Sequence, residues 1–300
     1  MKFTSLFHYF WKAPLCGLLF FMALIPGNLL ATAIGLPMPE IPVGADEATL
    51  GQYTILASLI LAIGLAFLAR GLSGNFLSRW LILFFFTWIA YGVNNYFEAA
   101  IFTTMSAASV FSVVLYLPAS LLCSAAVAWL FPPDKQGESF FNQAKAFFAG
   151  RTLGNWAWRL FAAFLAFPLV YYFFGRLIAP IVLPYYLQGV SQLNLPGWNQ
   201  ILPVLALRSL LFLLVCLPIL ITWRLSYGRL FLALGLALFL LVGGISMMYA
   251  YWLAPVLRVT HSVEIFADEF FYAGALILLL GRYRTQPEGK RVLVPGRKGI

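Results

Sequence analysis

Apolar residues dominate this chain in eight long runs, near 14–36, 51–69, 80–102, 110–131, 160–182, 201–222, 230–253 and 263–281. Each run is about 20 residues long, enough at a helical rise of ~1.5 Å per residue to cross a hydrocarbon layer of roughly 30 Å. A backbone in that layer has no water to bond, so each run is expected to form an α-helix. The pattern therefore predicts an all-α polytopic membrane protein with eight transmembrane helices and both termini on one side.

The longest polar interval, 132–159, separates a first four-helix half (1–131) from a second (160–281), and a basic tail (282–300) follows. Within the interval, Ser139 is placed to cap a short helix. Its Phe140, Phe141, Ala144, Phe147 and Phe148 gather on one face, with Asn142, Gln143 and Lys145 elsewhere. Such a helix either lies in the membrane interface or caps its own protein. The halves echo each other. Trp11-Lys12 opens the first run as Trp158-Arg159 opens the fifth, and the turn from Arg70 to Arg79 resembles that from Arg224 to Arg229. A duplication with an even number of spans per half would be a 4+4 parallel repeat about an axis along the membrane normal. The same recurrence also arises when Trp and basic residues merely anchor successive inner boundaries.

Pro26-Gly27, Pro118, Pro168, Pro218 and Gly243-Gly244 interrupt the runs and read as packing kinks or gating hinges. The uncharged segment 183–200, with Tyr185, Tyr186 and Trp198, reads as an aromatic belt or lid at the outer interface. Ala31-Thr32-Ala33 has the A-x-A form of a signal-peptidase site, and cleavage there would leave seven spans. The apolar run nevertheless continues through Leu36 and is long enough to span.

Composition and charge sharpen the picture. The chain is 62% hydrophobic and 10% charged, far below the roughly 25% charged content of soluble domains. Its net charge of +9 is spread over short loops, which makes it a topology signal and not a nucleic-acid footprint. With the N-terminus inside, all of the 19 Lys and Arg residues except Arg176, Arg208 and Arg258 fall on the cytoplasmic side. Short loops and the lack of a soluble domain fit a bacterial inner membrane. Cys16, Cys123 and Cys216 lie within apolar runs and read as buried thiols. His8 and His261 fall on opposite sides, so neither a metal centre nor a cofactor site is expected.

Ionisable groups inside a bilayer cost about 2.5–3.5 kcal/mol each on insertion scales and are functional candidates by default. Counting at the helical rise, Asn94 and Asn95 lie about 22–24 Å and Glu98 about 28 Å above Arg79, while Arg176 lies about 25 Å above Arg159. Arg208 sits about 10 Å below the outer end of its run, and Asp268 about 21 Å above Arg282. All occupy the outer half. His261, Glu264 and Asp268, at i, i+3 and i+7, share one helical face, whereas Glu269 points elsewhere. Arg258 precedes this helix and could fold over the same mouth. Arg176 and Arg208 would supply counter-charge, and the mixture suits an anionic or zwitterionic head group. The same residues could instead pair and fasten the outer ends of the helices.

Two motif matches fail on placement. Gly71-Leu72-Ser73-Gly74 resembles the GxSG of rhomboid-type proteases, yet Ser73 falls at the inner boundary and His261 at the outer, about 30 Å apart. Asp268-Glu269 resembles the paired acids of CAAX-type membrane proteases, but the following Arg and the His-containing helices have no counterpart. Three functional readings remain. The first is a transporter or lipid-handling permease whose outward pocket takes an anionic ligand. The second is an outer-leaflet enzyme acting on a lipid or lipid-linked substrate, with Glu98, Glu264 or Asp268 as base and His261 as partner. The third is an anchor or sensor subunit that docks a membrane-complex partner through its tail and Phe-rich helix. Membrane lipids are the partners common to all three.

Overall fold

The computed structural model describes residues 3–104, 106–135 and 137–281. The basic tail, 282–300, and the docking role expected of it lie outside the described residues. Among the described residues the fold is all-helical: α1 Phe3–Ala33, α2 Glu47–Gly71, α3 Phe76–Phe102, α4 Ser106–Leu130, α5 Phe140–Ala149, α6 Leu153–Leu187, α7 Trp198–Thr222, α8 Tyr227–Tyr249 and α9 Pro255–Leu280. Asp46, Asn75, Ser139, Thr152 and Ser226 each accept a hydrogen bond from the backbone N–H three residues on, which fixes where α2, α3, α5, α6 and α8 begin.

Among the described residues, seven helices are long and apolar enough to cross a membrane: α1, α2, α3, α4, α6, α7 and α8. This is the build of a multi-pass membrane protein. The eighth expected run forms α9, a helix of 26 residues that carries Glu264, Asp268 and Glu269 within its length and is not among these seven. Its amphipathicity is inverted. Val259, Val263, Phe266, Phe271 and Leu278 are exposed, Leu278 to 82%, while the three acids are buried beside Tyr272, Ala273, Leu276 and Leu280.

Helix α1 packs on α4 and α2, α9 packs on α6 and α8, and α6 on α7. Helix α2 also lies against α8, and α3 against α7. Gly27 lets α1 approach α4 so closely that a Cβ there would collide with the Leu115 carbonyl oxygen. The expected kinks at Pro26, Pro118, Pro168 and Pro218 are absorbed inside continuous helices. The breaks in regular pitch fall instead at π-helical turns, Trp88–Val93 in α3 and Leu240–Gly244 in α8.

One end of the bundle is basic, and its cations satisfy the orphan carbonyls of helix C-termini. Buried Arg79 donates to Ala69 O at 3.2 Å, Ala128 O at 2.8 Å and Phe131 O, tying the ends of α2 and α4 together. Lys12 Nζ donates to Leu130 O at the end of α4, and Arg159 Nη1 to Leu279 O at the end of α9. At the same end the turns after α2 and α7 pair reciprocally. Ser73 N donates to Thr222 O and Arg224 N to Gly71 O, both at 3.0 Å, with Leu72 bridged to Trp223. Helix α5 is seated over this knot, against α7. Its Gln143 is buried and accepts from Ser73 Oγ and Arg224 Nη2, Phe147 is buried, and Phe141 faces outward. The Phe-rich helix is thus a cap on its own protein, with Phe141 and Phe148 left exposed to the surroundings.

Candidate functional site

Ser73, the serine of the GxSG match, is consumed in the basic-end knot, where the single proton of its hydroxyl is shared between Thr222 O at 2.8 Å and Gln143 Oε1 at 2.9 Å. The ionisable residues gather towards the other end, between α3, α6, α7 and α9. Arg208 of α7 is only 2% exposed and forms an ion pair with Glu98 of α3. Its guanidinium lies 5.2 Å from the Phe167 ring centre, 5.1 Å from Tyr171 and 5.9 Å from Phe212. Aromatic faces attract a cation without removing its charge, so the three rings and Glu98 together hold the guanidinium in place. Arg208 Nε, fully enclosed, has no hydrogen-bond partner.

Helix α9 supplies the carboxylates. His261 Nδ1 lies 2.7 Å from Glu264 Oε2, and its Nε2 lies 3.3 Å from the Tyr186 hydroxyl at the end of α6. With the proton on Nδ1, the imidazole donates to Glu264 and accepts from Tyr186, so both ring nitrogens are fixed. Glu264 also abuts Gly175, where a Cβ would stand 3.2 Å from Oε1. Asp268 and Glu269 are 4% and 1% exposed, and Asp268 Oδ1, Glu269 Oε2 and the Tyr272 hydroxyl are buried without a partner. Glu269 is near enough to act on both Arg208 and Cys216.

The expected site residues divide into two groups. Arg208, Glu98, Glu264, Asp268 and His261 come together. Arg176 is exposed on α6 and forms no ion pair among the described residues. Asn94 and Asn95 serve the contact between α3 and α8: Asn94 Nδ2 donates to Val242 O at 3.0 Å in the π-helical turn, and Asn95 Oδ1 accepts from Ser246 at 3.2 Å. Arg258 does not fold over the mouth but caps α8, donating to Met247 O and Met248 O. Glu269 is the residue that facing arguments missed. It lies about 140° around the helix from Glu264 at 100° per residue, and α9 is wrapped by neighbours over an arc wide enough to bury both. Its depth in an apolar run, irrespective of face, was the usable signal.

A second polar feature lies between α1, α2, α3, α4 and α8, where a cavity of about 60 Å³ is lined by Phe20, Thr54, Ser58, Tyr91, Tyr116 and Tyr249 among others. The Tyr91 and Tyr116 rings are 4.5 Å apart between centres. Hydroxyls in apolar runs carry no charge to flag them, and only packing brings these three tyrosines from α3, α4 and α8 to one place. Compared with known protein families, curated proteins and solved structures, the chain shows no significant match.

Proposed function

We propose that the protein is a transporter or lipid-handling permease in which Arg208 binds an anionic or zwitterionic ligand and the acids of α9 carry a coupling proton or cation. The observation that carries this reading is the inverted face of α9: side chains that cost most in lipid are turned inward, and two of them lack partners. Fastening alone would pair its polar groups. Here Glu98, Glu264, Asp268 and Glu269 outnumber the one arginine and one histidine beside them, and Asp268 Oδ1 and Glu269 Oε2 have no hydrogen-bond partner. A ligand anion arriving at Arg208 would compete with Glu98, and a proton or cation taken up by Asp268 or Glu269 would offset the charge brought in. The inverted face also supports α9 as an eighth span, with both termini at the basic end and that end cytoplasmic in a bacterial inner membrane.

The same reading includes a 4+4 parallel repeat. Ser73 and Arg224 hydrogen-bond to each other, as do Asn95 and Ser246, and both pairs are separated by 151 residues. Equivalent residues that touch at two levels, on the order of 30 Å apart along α3, behave as points on a two-fold axis along the bundle. Lys12 and Arg159 add support, since each caps the last helix of its half beside its own Trp, at 5.5 Å from Trp11 and 4.8 Å from Trp158. At the same separation Ala57 corresponds to Arg208 and Tyr249 to Glu98. The tyrosine cavity is then the uncharged counterpart of the charged cluster.

The test is flux in proteoliposomes loaded with a pH-sensitive dye and challenged with a panel of anionic and zwitterionic solutes. Solute-dependent proton movement should be lost in Arg208→Gln and in Asp268→Asn or Glu269→Gln. Flux unaffected by Arg208→Gln would sink the proposal.

The Tyr186–His261–Glu264 line favours a second reading, an outer-leaflet enzyme with His261 as a base oriented by Glu264. In that case Glu264→Gln should abolish turnover of a lipid-linked substrate while its binding survives. Full turnover in His261→Ala removes this reading.

A further inference from the structure

At the basic end, between α2 and α8, runs a groove of about 520 Å³. Its walls are apolar: Phe67 of α2, and Leu232, Ala233 and Leu236 of α8, with Trp223 and Leu225 at the turn. Phe67 and Leu232 are exposed, Leu232 to 61%. At its rim stand Arg70, ion-paired to Asp134, and Arg229. Asp134 offsets Arg70, so the net positive charge belongs to Arg229, whose guanidinium is exposed and makes no ion pair among the described residues.

The counterpart of this groove on the other side of the bundle is already filled. Shifted by the 151 residues that separate Ser73 from Arg224, the turn at 223–225 falls on 72–74, and the wall of α2 falls on the basic end of α7. That is the seat of α5, which packs against α7 and buries Phe147 and Gln143 there. An apolar seat of the same build therefore takes an amphipathic occupant, an apolar face against the helices and polar groups over the turn. On the side of α2 and α8 no described segment of chain covers it.

We propose that this groove binds an anionic phospholipid of the adjoining leaflet, one acyl chain lying along Phe67, Leu232 and Leu236 and the phosphate held at Arg229. The chemistry matches at both ends. An apolar trough at a membrane boundary accepts a hydrocarbon chain without desolvating any polar group, and an exposed guanidinium at its rim is suited to phosphate oxygens. A volume of this size lies within the roughly 300–1,000 Å³ typical of ligand sites. The groove spans the junction of the two halves, so a lipid seated there bridges α2 to α8 and stabilises their contact.

The experiment is native mass spectrometry and thermal unfolding of the full chain in detergent, with palmitoyl-oleoyl phosphatidylglycerol or phosphatidylcholine added. A basic residue near a membrane surface contributes about 1 kcal/mol towards anionic lipid, or roughly fivefold. Phosphatidylglycerol is expected to be retained about fivefold or more over phosphatidylcholine, and Arg229→Gln to remove that preference. Leu232→Trp, at an exposed position where extra bulk fills the groove without touching the core, should abolish retention of both lipids while the protein remains folded. Equal retention of the two lipids, or retention unchanged in both variants, overturns the proposal. Selective retention that emerges only when residues 282–300 are deleted overturns it too, by giving the groove to the tail.

Discussion

The pairing of Arg208 with Glu98 is open to a double-mutant cycle. Replacing Arg208 by Met keeps most of the side-chain volume while removing the cation from among Phe167, Tyr171 and Phe212. Breaking a buried pair by removing one partner costs about 3–5 kcal/mol. The ring contacts add about 0.5–2 kcal/mol where the cation is desolvated. The Glu98 side chain is 33% exposed, so part of its interaction is screened and the lower end of the range applies. Arg208→Met should therefore destabilise the protein by about 3–4 kcal/mol. Glu98→Gln should cost less, about 1–2 kcal/mol, because Glu269 remains near the guanidinium. If the two side chains are paired in the folded state, the double variant falls short of the sum by about 1–2 kcal/mol. The assay is equilibrium unfolding in mixed micelles titrated with a denaturing detergent, followed by the fluorescence of the 9 tryptophans. Additivity within about 0.5 kcal/mol would refute the coupling, and with it the view that an incoming anion competes with Glu98.

Three further expectations address the frame around the site. Gly27→Ala forces a methyl against the Leu115 carbonyl and should lower stability by about 1–3 kcal/mol, whereas Gly154→Ala, with nothing within 4 Å of the new Cβ, should be neutral or stabilising by up to about 1 kcal/mol. A melting-temperature comparison of the two tests whether α1 and α4 are held as closely as described. Arg159→Gln removes the donor to Leu279 O and should destabilise by about 0.5–1.5 kcal/mol, with amide exchange accelerated at the end of α9; unchanged exchange there would contradict the capping role. The backbone N–H of Thr49, with further bonds including one from Tyr251, holds the Asp46 carboxyl below the ordinary 3.8. Because the folded value is depressed, the stability it contributes is full above that ordinary value and is lost as pH falls through the folded one. Asp46→Asn should flatten the acid limb of a thermal-stability profile, and an unchanged limb would remove Asp46 as its source.

The hydrophobic pattern by itself determined the all-helical build, the positions of the long apolar helices and the capped start of α5, because lipid leaves a spanning backbone no alternative to internal hydrogen bonding. It also marked which charged residues were misplaced for lipid, since a lone Arg208 or Asp268 in an apolar run is costly whatever surrounds it. Facing and partnership belonged to the tertiary structure. Helical phase put His261, Glu264 and Asp268 on one face, but the breadth of the arc that α9 buries is set by α6 and α8 packed against it, and Glu269 was lost for that reason. Arg176 and Arg208 look alike in sequence, yet packing encloses one among aromatic rings and leaves the other exposed. The tyrosine cavity, the reciprocal bonds around Ser73 and Arg224, and the groove beside Arg229 all join residues from different helices. No periodicity within a single segment encodes such meetings, so only the folded bundle could decide them.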